Sequence, residues 1–160
     1  MRRAENEAHC YVKSFRIFAL LTLAWWPGLA DAQARAVPIE RRENLILVRA
    51  KVQGVEGIFI LDTGAQNSMV APELVFDVKE RRQTNVQGIA GTSKVDAVRV
   101  TIQLGGSFLS TRVLVLPMDA QSKRLNERIS GILGMDFLGQ YERIVLDLKG
   151  LTMTLTEGAK

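Results

Sequence analysis

The chain of 160 residues has a single histidine and a single cysteine, His9 and Cys10, side by side near its start. Both fall in a segment that reads as removable. A basic flank at Lys13 and Arg16 leads into the apolar run from Ile17 to Trp26. Pro27-Gly28 breaks that run, and Ala30-Asp31-Ala32 and Ala32-Gln33-Ala34 follow as overlapping small-residue patterns. This order describes a secretory signal peptide. The stretch from Ile17 to Leu29 is short for a bilayer span, which needs about 20 residues. Residues 1–34 are therefore expected to be a signal peptide, or an N-terminal membrane anchor over residues 17–29 if they stay uncut. The expected location is outside the cytoplasm, periplasmic or secreted, with membrane contact only in the uncut form.

Without the leader the chain has no imidazole, no thiol and no tryptophan. Ser-His-Asp and Cys-His catalysis are excluded, as are the usual zinc sites and any disulfide. A chain free of cysteine suits an oxidising exterior. Its acidic residues, Asp77, Asp96 and Asp119 among them, show no spacing that would gather metal ligands. No metal or other cofactor is expected. Catalysis is left to carboxylates, lysine or hydroxyls, and Lys51, Lys79 and Lys94 sit in contexts that give a catalytic lysine no support. The basic pairs Arg41-Arg42, Arg81-Arg82 and Lys123-Arg124 are scattered and lack interleaved aromatics. They read as solvated surface, and no nucleic-acid partner is expected.

The remainder reads as β structure throughout. Residues 35–43 are polar and are expected to be a flexible lead-in or edge segment, with one folded domain over 44–160. Leu45 to Val52, the turn Gln53-Gly54-Val55-Glu56-Gly57 and the apolar Ile58 to Leu61 form a hairpin pattern. Ser68 to Ala71 is a brief strand, and Pro72 starts a short helical turn. Val98, Val100, Ile102 and Leu104 alternate with Arg99, Thr101 and Gln103, the period of a half-buried strand. Gly105-Gly106 turns the chain into Phe108 to Leu116. Residues 118–128 read as a polar loop, Ile129 to Leu133 as a strand, and 135–140 as one or two helical turns. Two last strands follow, Ile144 to Leu148 and Leu151 to Leu155. Many short strands with little helix predict a small closed or partly closed barrel.

Against that background one triplet carries chemistry. Asp62-Thr63-Gly64 follows the apolar strand Ile58-Phe59-Ile60-Leu61, which would fix the carboxylate on a rigid element. Taken alone the triplet is a turn, since Asp and Gly both favour turns. Here Gly64 and Ala65 offer backbone N–H groups beside the carboxylate, and Thr63 a hydroxyl. A second element, Ile129-Ser130-Gly131-Ile132-Leu133-Gly134, places glycines in an apolar strand where another segment could pass close by. Between the two lies the hairpin tip Gln87-Gly88-Ile89-Ala90-Gly91.

Leu61-Asp62-Thr63-Gly64-Ala65, the glycine-containing hairpin and Gly131-Ile132-Leu133-Gly134-Met135-Asp136-Phe137-Leu138 together resemble the retropepsin-like aspartic proteases, most nearly their bacterial, exported branch. The likeness spans roughly residues 44–156. It implies an all-β closed barrel with one short helix near 135–140, and a homodimer in which two aspartates face each other across a peptide substrate. Carried over, Asp62 is the catalytic carboxylate, with Thr63, Gly64 and Ala65 as its loop. Gly88, Ile89, Ala90 and Gly91 match the flap over the substrate, and Ile132, Leu133 and Gly134 the segment through which the core is threaded. Asp136 reads as a helix-start residue accepting backbone N–H groups rather than as a second catalytic acid.

Two positions depart from the pattern. The acidic residue and the arginine that form a brace near the dimer interface in retroviral relatives are Gln66 and Met135 here. Both partners are missing together, so neither charge is stranded, and a dimer must be held in another way, through the final strand or residues 35–43. Two functions follow. One is an aspartic endopeptidase completed by a second copy of the chain; the alternative is a non-catalytic envelope module of the same fold that binds peptides or proteins.

Overall fold

The computed structural model describes residues 34–88 and 91–158, so the leader up to residue 33 and the flap positions Ile89 and Ala90 lie outside the described residues. Ten strands follow along the chain: β1 (Ala34–Arg42), β2 (Leu45–Val52), β3 (Val55–Leu61), β4 (Met69–Val70), β5 (Arg81–Gly88), β6 (Gly91–Leu104), β7 (Ser107–Val115), β8 (Ile129–Leu133), β9 (Arg143–Asp147) and β10 (Thr152–Thr156). A 3-10 turn covers Pro72–Leu74, and two short helices, α1 (Asp119–Leu125) and α2 (Met135–Leu138), interrupt the strands. The sheet order is β5-β6-β7-β4-β8-β3-β2-β1-β10-β9, and pairing of β2 with β6 closes β2, β3, β8, β4, β7 and β6 into a six-stranded barrel. The expected all-β closed barrel is what forms.

Burial explains the sequence patterns strand by strand. On β6 the alternation holds: Val98, Val100, Ile102 and Leu104 are buried while Arg99 and Thr101 face water. β3 is apolar at successive positions because it is covered on both sides. Phe59 belongs to the cluster inside the barrel, and Ile60 to a second one with Leu47, Ala71, Met118 and Ile129. A strand buried on both faces loses its period of two. The β2–β3 turn puts Gln53 and Gly54 at φ 49° and 84°, the two left-handed positions of the tight turn that matches strand twist.

Two segments differ from expectation. The lead-in expected at 35–43 is strand β1 through Arg42, paired with β10 over its first half and β2 over its second. Its apolar residues are few, but Val37 and Ile39 alternate into the core, and ladders on both sides outweigh the polar composition. The loop expected at 118–128 holds α1, none of whose residues is fully buried. Packing at its two ends fixes it, with Met118 buried in the second cluster and Leu125 against it. The Ser122 hydroxyl also accepts the Ile129 N–H at 2.9 Å, tying α1 to the start of β8.

The barrel's tightest crossing is at Gly131. A Cβ there would collide with the Met69 carbonyl oxygen and stand 2.7 Å from the Phe59 ring. Gly131→Ala is therefore expected to lower stability by about 3 kcal/mol or more, the cost of overpacking against backbone that cannot retreat, as a fall in denaturant midpoint.

Tyr141 gives a second test. Its ring packs edge-on to Phe137 at 5.8 Å, and its buried hydroxyl lies beside that of Ser107, which donates to Glu157. Burial pushes the phenol above its ordinary value; Ser107 pulls it down, Glu157 pushes it up and Arg35 pulls it down. A raised value means the folded state resists ionisation, so this group's contribution is complete below pH 10 and is lost as pH climbs through the folded value. Tyr141→Phe is expected to melt no lower than the parent at pH 7 and to retain more of its stability at pH 10.5, measured by thermal denaturation at both values.

Candidate active site

β3 and β8 run parallel, with Ile60 beside Ile132 and Leu61 beside Leu133. At their shared end the chain leaves β3 into the loop Asp62 to Asn67, and the Asp62 N–H donates to the Leu133 carbonyl at 3.1 Å. The aspartate thus starts its loop on the last rung of a buried seam. Two bonds shape the loop itself: the Gly64 N–H donates to Asp62 Oδ1 at 2.8 Å, and the Ala65 N–H to the Asp62 carbonyl at 3.2 Å. One carboxylate oxygen is held by backbone, which leaves the other available. A Cβ on Gly64 would lie 3.2 Å from that same Oδ1, so a side chain there would crowd the carboxylate. Asp62 is half-buried, and Thr63 and Gly64 are exposed.

What fixes the loop from below is a bond that no motif announces. Ser68, fully buried, accepts the Gly134 N–H at 2.9 Å through its hydroxyl. The same hydroxyl donates to Asp136 Oδ1 at 2.6 Å, and that oxygen also accepts the Ser68 N–H at 2.8 Å. Asp136 does accept a backbone N–H, as expected of it, but from the far end of the active loop rather than from its own helix. Its second oxygen is buried with no partner among the described residues. The sequence carries a local signal for each residue and none for the pair, which lies 68 positions apart.

Gln66 and Met135, where relatives carry the ion pair, are nonetheless brought together by backbone. The Met135 N–H donates to the Ala65 carbonyl at 2.8 Å and the Asp136 N–H to the Gln66 carbonyl at 3.1 Å. Gly134 makes this approach possible, because a Cβ there would come within 2.7 Å of the Ala65 oxygen and 2.8 Å of the Asn67 carbonyl carbon. The structure therefore gathers Asp62, Thr63, Gly64 and Ala65 with Ile132, Leu133 and Gly134 into one site. Gly88 and Gly91 form the last facing pair of the β5–β6 hairpin, at the base of the tip that carries Ile89 and Ala90.

A cleft of about 630 Å³ is lined by Pro72, Glu73, Met118, Asp119 and Arg128 and does not include Asp62. A carboxylate on an open surface has no walls of its own, and the chemistry favours Asp62 over the larger hollow. The small closed barrel, with its Asp-Thr-Gly loop at the end of the parallel seam of β3 and β8, has the fold of the retropepsin-like proteases. A sequence profile of the aspartyl protease family matches residues 48–137, more than half of the chain, and the chain belongs to that family.

One solved structure agrees at the level of fold, and two further similar structures are viral proteases. A retropepsin-like aspartic protease from Rickettsia conorii superposes with a TM-score of 0.55 at 17% identity, covering 80% of this chain and 94% of that one. EIAV protease bound to an inhibitor is 26% identical over 62% of this chain and 88% of its own, with a TM-score of 0.45. Simian foamy virus protease is 18% identical over 58% and 91%, with a TM-score of 0.46. No curated protein sequence matches the chain.

The network beneath the loop makes a separate prediction. Ser68→Ala leaves the Gly134 N–H without its partner and takes one of the two donors from Asp136 Oδ1, so a loss of about 2–4 kcal/mol is expected. Asp136→Asn keeps an acceptor in place and is expected to cost less than half as much. Equilibrium unfolding of the two variants beside the parent chain checks the order.

Proposed function

We propose that the chain is an exported aspartic endopeptidase that works as a homodimer, with Asp62 of each subunit forming the catalytic pair. The observation that carries this reading is the Asp62 carboxylate, half-exposed at the end of a buried seam and held through one oxygen by the Gly64 N–H. No histidine or cysteine occurs after residue 10 to offer another route. One such aspartate per chain requires a second subunit.

Two facing carboxylates cannot both ionise cheaply, so the pair shares one proton and titrates as a unit. The ionised member takes a proton from a bound water as its oxygen attacks the scissile carbonyl carbon. The protonated member gives its proton to the carbonyl oxygen, forming a tetrahedral diol. Collapse of the diol breaks the C–N bond: the amine leaves with a proton from one carboxyl group, and a diol hydroxyl returns one to the pair. In this reading Thr63, exposed in the single chain, braces the loop against the partner's loop. Gly64 leaves room for substrate backbone, and residues 88–91 close over an extended peptide.

Export is supported by the order of basic flank, apolar run, breaker and Ala-x-Ala patterns ahead of β1. N-terminal sequencing of the envelope fraction is expected to find a chain starting near residues 33–35; an intact Met1 in that fraction would identify an anchor instead.

Asp62→Asn is expected to reduce cleavage of a diverse peptide library at pH 4–7 by at least a thousandfold, a loss of about 4 kcal/mol or more of transition-state stabilisation. Its thermal midpoint should stay within a few degrees of the parent's. Mass-spectrometric profiling of both proteins checks this, and equal activity in the variant would refute the assignment. A parent chain that stays monomeric and cleaves nothing would point to the peptide-binding reading.

A further inference from the structure

Of the two segments expected from the sequence to hold a dimer, the final strand is interior: β10 is paired along Thr152–Thr156 by β1 on one side and β9 on the other. β1 gives its first half to β10 and its second to β2, so it offers no unbroken edge. Among the described residues β5 and β9 end the strand order, each with one neighbouring strand. The two edges differ in character. β5 runs Arg81-Arg82-Gln83-Thr84-Asn85, the polar, charged kind of edge that discourages strand addition. β9 runs Arg143-Ile144-Val145-Leu146-Asp147, and its centre is apolar and open, with Val145 at 49% and Leu146 at 41% exposure. Leu148 and Leu151, just beyond it, are exposed as well.

We propose that β9 is the edge on which a second copy of this chain docks, by antiparallel pairing of β9 with the partner's β9 about a two-fold axis at Val145. This rests on the homodimer reading above and names its surface. The sequence of the strand is self-complementary in that register. Arg143 falls opposite the partner's Asp147 and Asp147 opposite the partner's Arg143, while Ile144 meets the partner's Leu146 and Val145 the partner's Val145. Because side chains alternate, Arg143, Val145 and Asp147 share one face, and Ile144 and Leu146 share the other. Each face therefore gains its own matched contacts. A two-fold interface must be self-complementary in this way, and opposite charges directly across a strand pair stabilise it whereas like charges oppose it. The Asp147 carboxylate also caps the turn after β9, its Oδ1 accepting the Lys149 and Gly150 N–H groups at 3.0 and 2.8 Å.

The chain path connects this edge to the site. Met135 is bonded to the active loop through Ala65, and β9 begins eight residues later. The missing charges at Gln66 and Met135 remove a brace beside the aspartates, and the β9 seam places matched charges further along the same segment.

The test uses the full chain carrying Asp62→Asn, which removes self-cleavage, and sedimentation velocity over a concentration series. Val145→Lys sets two like charges face to face at the axis and is expected to weaken the dimer at least thirtyfold. Thr84→Lys on the β5 edge should change the dissociation constant less than twofold. Arg143→Glu and Asp147→Lys should each weaken self-association about tenfold, and an equimolar mixture of the two should recover the parent's dimer, since every charge then meets its opposite. Circular dichroism confirms folding of each variant, Asp147→Lys in particular, because it gives up the turn bonds. A dimer unchanged by Val145→Lys, or a mixture that fails to recover, overturns the proposal.

Activity with Asp62 restored separates the two readings. An active parent whose Val145→Lys form cleaves undiminished at nanomolar concentration overturns the β9 interface and leaves the protease standing. A dimer that responds to every β9 variant yet cleaves nothing upholds the interface and overturns the protease.

Discussion

Everything at the site hangs from the parallel seam of β3 and β8, and above all from its last rung, where the Asp62 N–H meets the Leu133 carbonyl. Parallel neighbours are covered on both faces more often than antiparallel ones, and here the interior cluster lies on one side and the Met118–Leu125 region on the other. A carboxylate at the end of such a seam inherits its rigidity. The glycines follow from that constraint. Gly131 lets β4 and the Phe59 ring close on β8, and Gly134 lets the loop carbonyls of Ala65 and Asn67 reach the start of α2. Remove either approach and the aspartate would sit on a loop without a floor.

That floor is built from neutral and singly charged parts. Ser68 serves three bonds at once, and Asp136 accepts two of them on one oxygen. A hydroxyl that both donates and accepts suits a position where an N–H and a carboxylate converge. The two backbone bonds from Met135 and Asp136 to the loop carbonyls fix the same geometry that relatives reinforce with an ion pair. Exposed ion pairs contribute little to stability, so the exchange at Gln66 and Met135 costs the single chain little.

The sequence was most legible where one residue's environment repeats along a strand. The β6 alternation and the apolar run of β3 read directly, as did the tight turns at Gln53-Gly54 and Gly105-Gly106, because period and turn chemistry are local. β1 was not legible, since its polar residues hide two buried ones, and its first half is a strand only through its ladder to the distant β10. α1 escaped for a related reason: it is anchored at its ends by Met118 and Leu125 and shows no apolar stripe. Within the site, Asp62 and its loop were visible as a motif. The Ser68–Asp136 bond was not, because nothing local couples residues separated by most of the domain.

The pairing of β1 with β10 bears on how the two halves of a site could come together. An unpaired first or last strand could be lent to a partner, but β1 and β10 are already paired with each other over Ala34–Pro38 and Thr152–Thr156. Exchanging that ladder for the same one with a partner would gain no new bond. The β9–β10 hairpin shifts the open edge outward by one strand. β1 and β10 then stabilise the chain's own sheet, and the apolar edge of β9 is short, flanked by one charge of each sign, and limited to five residues. A short edge with charged ends resists indiscriminate strand addition while remaining open to a partner with the same sequence running the other way.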